Sequence, residues 1–591
     1  MKRMRLSLIA VCVAGAWVAG CVAPGDVEPT TLYRYHKKLA MRIGAYRKGD
    51  EGMDVYRPAR RGAIPELPVR VVTRRVVDHP TITRLADANA SLDDDPAVGA
   101  FDANQMYRQV EVPEIPLSLE QAIVRALAGN TEVQISGYDP AISRQDMVKA
   151  AAEFDPVLFG TWSYDKIDRQ GATLGEQTNR GIEAGVRQKL ITGGTWSTSF
   201  AYARNFDDVN GSRWEPEVSF QFTQPLLRNA WGGFNLARLR IARISHEASL
   251  AGFRDTVEDV VTRAAAAYWT LQQAQTETLI VQELLEETLR THRKTVLRPK
   301  ARENIERKQT RSAVVSRQLE LLRAEKALAD ARDNLRKILA DPQINLRSDA
   351  VIHATTPPDP TPVVIDPADQ LLTALRHNPV MKQARLAIQV SAINIDVAKN
   401  QLLPKVDLSV GTTLHGRDRG RNDATDNLLT GNYASYSLAL TAEYPIGNRA
   451  RLADLYARRF EYAQSVTQMQ DTADQLAQLI QERIREIETT HQEWQQRSRE
   501  VKMLELLVQG FETLVREVAM TPNNLQLLLD AQGRLATARR AQARALVGYQ
   551  NAQLDLARET GTALKLPRMK IALPAAADQA SWPEMPADGN E

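Results

Sequence analysis

Cysteine is nearly absent from this chain: its 591 residues include two, Cys12 and Cys21. Cys12 lies within an N-terminal apolar run, so removal of that run leaves one thiol and no internal disulfide. The eight histidines stand singly, without the cluster of about four ligands that structural zinc takes, and no metal or cofactor is expected. An excess of one charge sign is missing too. Lys+Arg number 75 against 72 Asp+Glu, a net +3, which leaves little surplus to neutralise phosphates and excludes nucleic acid as a partner. Aromatics are 6% of the chain, low for a compact enzyme. The sequence contains no Gly-rich loop ending in Lys-Ser/Thr, no His-Glu-x-x-His and no Gly-x-Ser-x-Gly, so it is not expected to be an enzyme. Beyond the first 21 residues no apolar run approaches the ~18 residues of a membrane-spanning helix. A mature chain that crosses a membrane must then do so as a closed β-barrel, because lipid offers no partner to unpaired backbone groups.

What is present begins with an address. Lys2, Arg3 and Arg5 precede the apolar stretch Leu6 to Trp17, and Val18-Ala19-Gly20-Cys21 follows. The stretch is too short to span a bilayer and reads as a signal peptide over 1–20. Its ending resembles a bacterial lipobox, which implies cleavage before Cys21, a diacylglyceryl group on that cysteine and palmitate as a lipid. Val22, in place of Asp, lacks the retention residue of the bacterial sorting rule, which favours the outer membrane.

Residues 21–116 carry many prolines and charge runs, such as Arg74-Arg75 and Asp93-Asp94-Asp95, and read as an irregular, lipid-anchored extension. From Leu117 the chain repeats itself. Ala126-Leu127 and Asn130 match Ala374-Leu375 and Asn378 at an offset of 248, and Pro156 matches Pro404 at the same offset. Gln224-Pro225 matches Tyr444-Pro445. The twelve residues from Leu321 to Arg332 share seven identities with those from Leu528 to Arg539. The expected organisation is a first repeat over 117–345, a linker over 346–366, a second repeat over 367–564 and a tail over 565–591.

Each repeat follows one order: helix, strands, very long helix, turn, long helix. Asn235 to Leu297 would span roughly 90 Å at ~1.5 Å per residue. Val501, Leu504, Val508, Phe511, Val515 and Val518 step alternately by three and four, a heptad seam that packs against a neighbouring helix. The strands alternate at period two. Val218, Phe220 and Phe222 oppose Ser219, Gln221 and Thr223, and Tyr436, Leu438 and Leu440 oppose Ser435, Ser437 and Ala439. An apolar face backed by a polar one suits lipid outside and water inside.

These landmarks resemble the TolC-like outer membrane efflux protein family, lipoprotein type. The residues that carry the resemblance are Leu119-Glu120-Gln121-Ala122 through Asn130, Gln224-Pro225-Leu226-Leu227-Arg228, Tyr444-Pro445-Ile446-Gly447, Leu528-Leu529-Asp530-Ala531-Gln532 and Leu554 to Thr562. The implied fold is mainly α with a β membrane part. Two repeats of long antiparallel helices form one third of a trimeric α-helical barrel, and four to six strands per protomer join a shared outer-membrane β-barrel. The implied function is the exit duct of a tripartite efflux or type I secretion system. Its partners would be two further copies of the chain, a periplasmic adaptor, an inner-membrane pump and outer-membrane lipid. The resemblance implies a periplasmic gate near the helix turns, where Asp530 matches one aspartate position and Leu527 stands at another. The basic run Arg298, Lys300, Arg302, Arg307, Lys308 and Arg311 lies near the other turn. It also implies adaptor contacts at the turns, aligned here to Ala313, Val314 and Val315 and to Met520, Thr521 and Pro522.

The chain departs from the family in two ways. The turn stretches lack the usual glycine, although Pro522 can itself set a turn. The first repeat is also longer between its prolines, 69 residues from Pro156 to Pro225 against 41 from Pro404 to Pro445. The excess 28 residues alternate around Gly193-Gly194 and predict an added β-hairpin, over about 181–205, which either joins the barrel wall or folds outside the membrane as a flap. The rival reading is a structural periplasmic coiled-coil lipoprotein, which explains the anchor and the heptads but not the paired strand segments.

Overall fold

The computed structural model describes residues 67–80, 82, 106–167, 177–207, 211–296, 303–345, 350–431, 433–517 and 521–565. The signal stretch and Cys21 lie outside them.

The first repeat opens with α1 (Leu119–Gly129) and α2 (Thr131–Ala151). Ser118 starts α1 with a reciprocal cap: its Oγ accepts from the Gln121 N–H and its own N–H donates to Gln121 Oε1. Four strands follow, β3 (Val157–Ile167), β4 (Gln177–Lys189), β5 (Thr195–Asp207) and β6 (Gly211–Pro225). The short α3 (Trp231–Asn235) leads into α4 (Ala237–Val296), and α5 (Glu303–Leu339) returns. The second repeat runs through α6 (Pro367–His377), α7 (Pro379–Gln401), β8 (Lys405–His415), α8 (Arg421–Thr430), β9 (Ala434–Glu443), α9 (Arg449–Glu517) and α10 (Pro522–Glu559). Proline opens α6, α7 and α10 at the first turn, where its missing N–H costs nothing.

The long helices are the bulk of the molecule. The 60 residues of α4 and the 69 of α9 extend roughly 90 and 100 Å. α4 packs along α5, α9 packs along α10, and α10 also lies on α4. The expected heptad seam is in place: Val501, Val508 and Val515 are buried at every second turn of α9, and Val508 and Val515 pack with Leu528 and Ala531 of α10. Among the described residues no helix is long and apolar enough to cross a membrane.

The repeat alignment at the helical ends needs correction. The matched stretches Leu321–Arg332 and Leu528–Arg539 are 207 residues apart. The helices that contain them start 219 apart and end 220 apart. The sequence match is thus displaced along the helix by 12 to 13 residues. Leu, Ala and Arg recur all along both flanks, so a short run of identities matches at more than one shift and does not set the register.

The extension and the linker are also more structured than expected. Residues 70–77 (β1, Arg70–Val77) pair antiparallel with β2 (Tyr107–Leu117), and the linker supplies β7 (Val351–Ala354), parallel to β2. Val and Thr populate these strands as β-branched residues that fit a half-buried pleated surface. Ile115, Leu117 and Ile352 join Tyr268, Leu335 and Leu339 in one core. Tyr268 Oη donates to the Leu117 carbonyl and accepts from the Thr356 N–H, which fixes this sheet to the middle of α4.

Candidate membrane wall and periplasmic mouth

The large sheet has the order β3-β4-β5-β6-β8-β9, every neighbouring pair antiparallel. The added hairpin is therefore wall, inserted between β3 and β6. Its turn is locked from below. Gly193 takes φ +87°, and a Cβ there would stand 2.2 Å from the Asn229 carbonyl oxygen, so glycine is required on both counts. Thr192 Oγ1 donates to Gln224 Oε1, Gln224 Nε2 donates to the Thr192 carbonyl, and the Trp231 N–H donates to that same carbonyl. A loose flap would have none of these ties.

The register carries one face across all six strands. Leu158 lies opposite Val186, then Thr198, Phe220, Thr412 and Tyr436 in turn. The next rows on the same face hold Trp162 with Ile182 and Tyr202, and Phe222 with Val410 and Leu438. This apolar face is bare: Leu158 is 80% exposed, Trp162 71% and Leu438 76%. The reverse face holds Glu183, Ser199, Ser219, Gln221, Ser409 and Ser437 at alternate positions. Its hydroxyls bond across strands, Ser199 to Ser219 at 2.8 Å and Thr223 to Ser409 at 3.1 Å. An exposed apolar face on one side and a hydrogen-bonded polar face on the other is the pattern of a sheet with lipid outside and water inside.

Among the described residues both edges of the sheet are open. β3 and β9 have one strand neighbour each, and their residues are exposed on both faces nearly throughout. Unpaired N–H and C=O groups on an apolar sheet are costly in lipid and a template for pairing in water.

At the far end of the helices the two turns differ. The second lies where it is expected: Thr521 caps α10 by accepting from the Asn524 N–H, and Pro522 is the first helical residue. Met520 falls outside the described residues. The first turn does not lie at Ala313, Val314 and Val315. These residues sit in the third turn of α5, and Val314 is fully buried with Leu285, Leu289 and Leu321. α4 ends at Val296 and α5 begins at Glu303; residues 297–302, with Pro299 among them in sequence, lie outside the described residues. The misplacement follows from the slip of 12 to 13 residues, and Val314 is a core residue.

The first turn is braced by a buried polar set. His292 Nδ1 and Thr310 Oγ1 are 2.7 Å apart, Thr295 Oγ1 lies 3.2 Å from Thr310 Oγ1, and Arg307 Nη2 donates to the Val296 carbonyl. Burial, with Arg311 and Arg307 beside it, pulls His292 down to about 4, so the ring is neutral at pH 7. A single histidine carries no pattern, so nothing in the sequence singled out His292. Asp530 is exposed on α10, two turns from Pro522, and accepts from Gln526 Nε2 at 2.9 Å. Arg298, Lys300 and Arg302 of the basic run lie outside the described residues.

Residues 371–562 match the model of the outer membrane efflux protein family. No curated protein matches the chain. Among solved structures, the open state of the Neisseria gonorrhoeae MtrE outer membrane channel aligns with a TM-score of 0.56 and 14% identity, over 76% of this chain and 89% of that one. The outer membrane protein VceC from Vibrio cholerae aligns at 0.54 and 16%, over 75% and 96%. The Campylobacter jejuni CmeC outer membrane channel aligns at 0.55 and 13%, over 84% and 95%. At these identities the likeness is one of fold, and it extends over both repeats.

Proposed function

We propose that this chain, an outer membrane efflux protein by the family match of its second repeat and by its fold, is the exit duct of a tripartite export system. The observation that carries the reading is the six-stranded sheet, bare and apolar on one face, polar on the other and open at both edges. It continues into helices roughly 100 Å long. Such a sheet is stable in lipid only when closed, and three copies joined β9 to β3 close it with about eighteen strands. The polar face then lines water, and the helices carry the lumen across the periplasm towards an adaptor and an inner-membrane pump. Those partners supply the energy; the described residues contribute wall and gate. Diameter grows roughly linearly with strand number, so the outer pore is wider than one built from four strands per protomer.

Within this reading Cys21 carries the lipid that tethers the mature N-terminus to the membrane, and Asp530 faces the aperture near the second turn. Adaptor contacts fall at Thr521-Pro522 and beside the facing ends of α4 and α5, Val296 and Glu303, rather than at 313–315.

The test is purification from outer membranes followed by planar-bilayer recording. The duct reading expects heat-modifiable trimers and a steady single-channel conductance. A monomer that leaves the membrane in alkaline carbonate and shows no conductance overturns it.

A further inference from the structure

At the end of the sheet away from the helices, the apolar face stops abruptly. The row that contains Trp162, Ile182 and Tyr202 is apolar or aromatic. The next row outward on the same face reads Tyr164, Arg180, Arg204, Trp214 and Asp418, each residue directly opposite the next. Arg180 and Arg204 are thus a cross-strand pair of like charges, an arrangement that by itself destabilises a sheet. Asp418, the one acid in the row, is already engaged: its carboxylate accepts from the Gly420 N–H and lies 3.5 Å from Asn427 Nδ2. Asp423 and Asp426 lie beyond it on α8.

Each of these cations is held over a ring. The Arg180 guanidinium lies 5.2 Å from the Tyr164 centroid, and that of Arg204 lies 5.1 Å from Trp214. Arg421, at the start of α8, lies 5.6 Å from Tyr202 and 6.0 Å from Trp214, whose rings are 5.4 Å apart. Stacking on an aromatic face fixes the orientation of the planar guanidinium; Arg204 Nε donates to Ser212 Oγ at 2.7 Å, and its two terminal nitrogens are left for a ligand. Beneath Arg421 the Tyr202 hydroxyl is buried with no hydrogen-bond partner. Three fixed guanidinium groups, one unused hydroxyl and an uncompensated like-charge pair stand at the border between an apolar band and water.

We infer that this row is a binding site for the phosphate of an anionic membrane lipid in the outer leaflet, with Arg180, Arg204 and Arg421 as donors and the acyl chains lying down the apolar face. The inference rests on the duct reading, which makes this face the lipid side. A phosphate in this row offsets the Arg180–Arg204 repulsion and accepts bidentate hydrogen bonds, while Trp162, Ile182 and Phe200 meet the hydrocarbon. The site secures the barrel at a fixed depth by its outer rim.

Native mass spectrometry of the full-length trimer, titrated with diphosphorylated lipid A or with phosphatidylcholine, tests the site. Preferential retention of lipid A is expected. R204Q and R421Q are each expected to weaken it about fivefold, and the double variant about 25-fold, from the effect of one basic residue near an anionic surface. R180Q, on the strand next to the β3 edge, is expected to show the same loss of about fivefold. R187Q is the control, since Arg187 also lies over a ring, that of Phe159, but on the polar face; lipid retention should not change. Equal retention in all variants, equal loss in R187Q, or displacement of the lipid by inorganic phosphate as a free-anion site would each overturn the inference. Trimers that form and insert while showing no preference for lipid A sink this site alone. A chain that never inserts sinks the duct reading with it.

Discussion

Asn130 and Asn378 make the same four-part connection in the two repeats. The Asn130 N–H donates to the Ala126 carbonyl and its side-chain oxygen accepts from the N–H groups of Glu132 and Val133, while its amide donates to the Ile338 carbonyl at 3.0 Å. The Asn378 N–H donates to the Ala374 carbonyl and its oxygen accepts from Val380 and Met381, while its amide donates to the Glu559 carbonyl at 2.9 Å. Each residue caps the second short helix of its repeat and ties it to the end of the closing long helix. Asparagine combines an acceptor for the cap with a donor for the carbonyl.

The expected outcome of Asn378→Ala is a loss of about 1–2 kcal/mol from the cap together with an unsatisfied carbonyl. Asn378→Asp should keep the cap and lose the tie. Denaturant melts of the trimer should therefore place Asp between wild type and Ala. An Asp variant as weak as Ala would mean that the tie, not the cap, carries the stability.

Arg125 and Asp341 form an ion pair, both nearly fully buried, and Arg125 also donates to Gln343 Oε1. Removing one partner strands a buried charge, so Arg125→Ala should cost about 3–5 kcal/mol. Arg125→Met with Asp341→Leu should recover most of it. If the double variant is no more stable than the single, the pair is not the reason.

His292 makes the first turn sensitive to acid. Its pKa in the folded chain, about 4, is below the ordinary value, so its contribution is fully present above roughly pH 6.5 and is lost as pH falls towards 4. Hydrogen exchange across residues 285–315 should therefore quicken between pH 6 and 4. The same scan on His292→Gln should be flatter. Identical pH profiles for the two proteins would remove His292 as the cause.

If Asp530 faces the aperture, Asp530→Ala should raise resting conductance or sensitise cells to large antibiotics. The matching control is Lys326→Ala, which removes an exposed charge from α5 whose partner, Asp330, lies on the same helix. Asp530→Ala behaving like that control would leave Asp530 as a solvated surface charge.

Fatty-acid labelling of intact cells should mark the wild type and leave Cys21→Ser unmarked, while Cys21→Ser trimers still insert, because one lipid adds little to a spanning barrel. Equal labelling of the two proteins would place the lipid elsewhere or nowhere.

Local chemistry made much of this protein legible in its sequence. Period-two alternation in Val218 to Thr223 and Tyr436 to Glu443 sets which side chains share a face, because successive strand residues must point opposite ways. The excess between Pro156 and Pro225, with Gly193 at its turn, was enough to expect the added hairpin, and the heptad seam on α9 packs where its spacing put it. Tertiary structure decided whatever depends on distant partners. Whether the hairpin joins the wall rests on its pairing with β3 and β6. The small sheet joins Ile115 to Ile352, a contact across more than two hundred residues that no local pattern announces. The register of the long helices was decided the same way. Recurring Leu, Ala and Arg let the flanks match at several shifts, so the ends of the long helices are set by their tertiary ties, Asn130 to Ile338 and Asn378 to Glu559 at one end and His292 to Thr310 at the other.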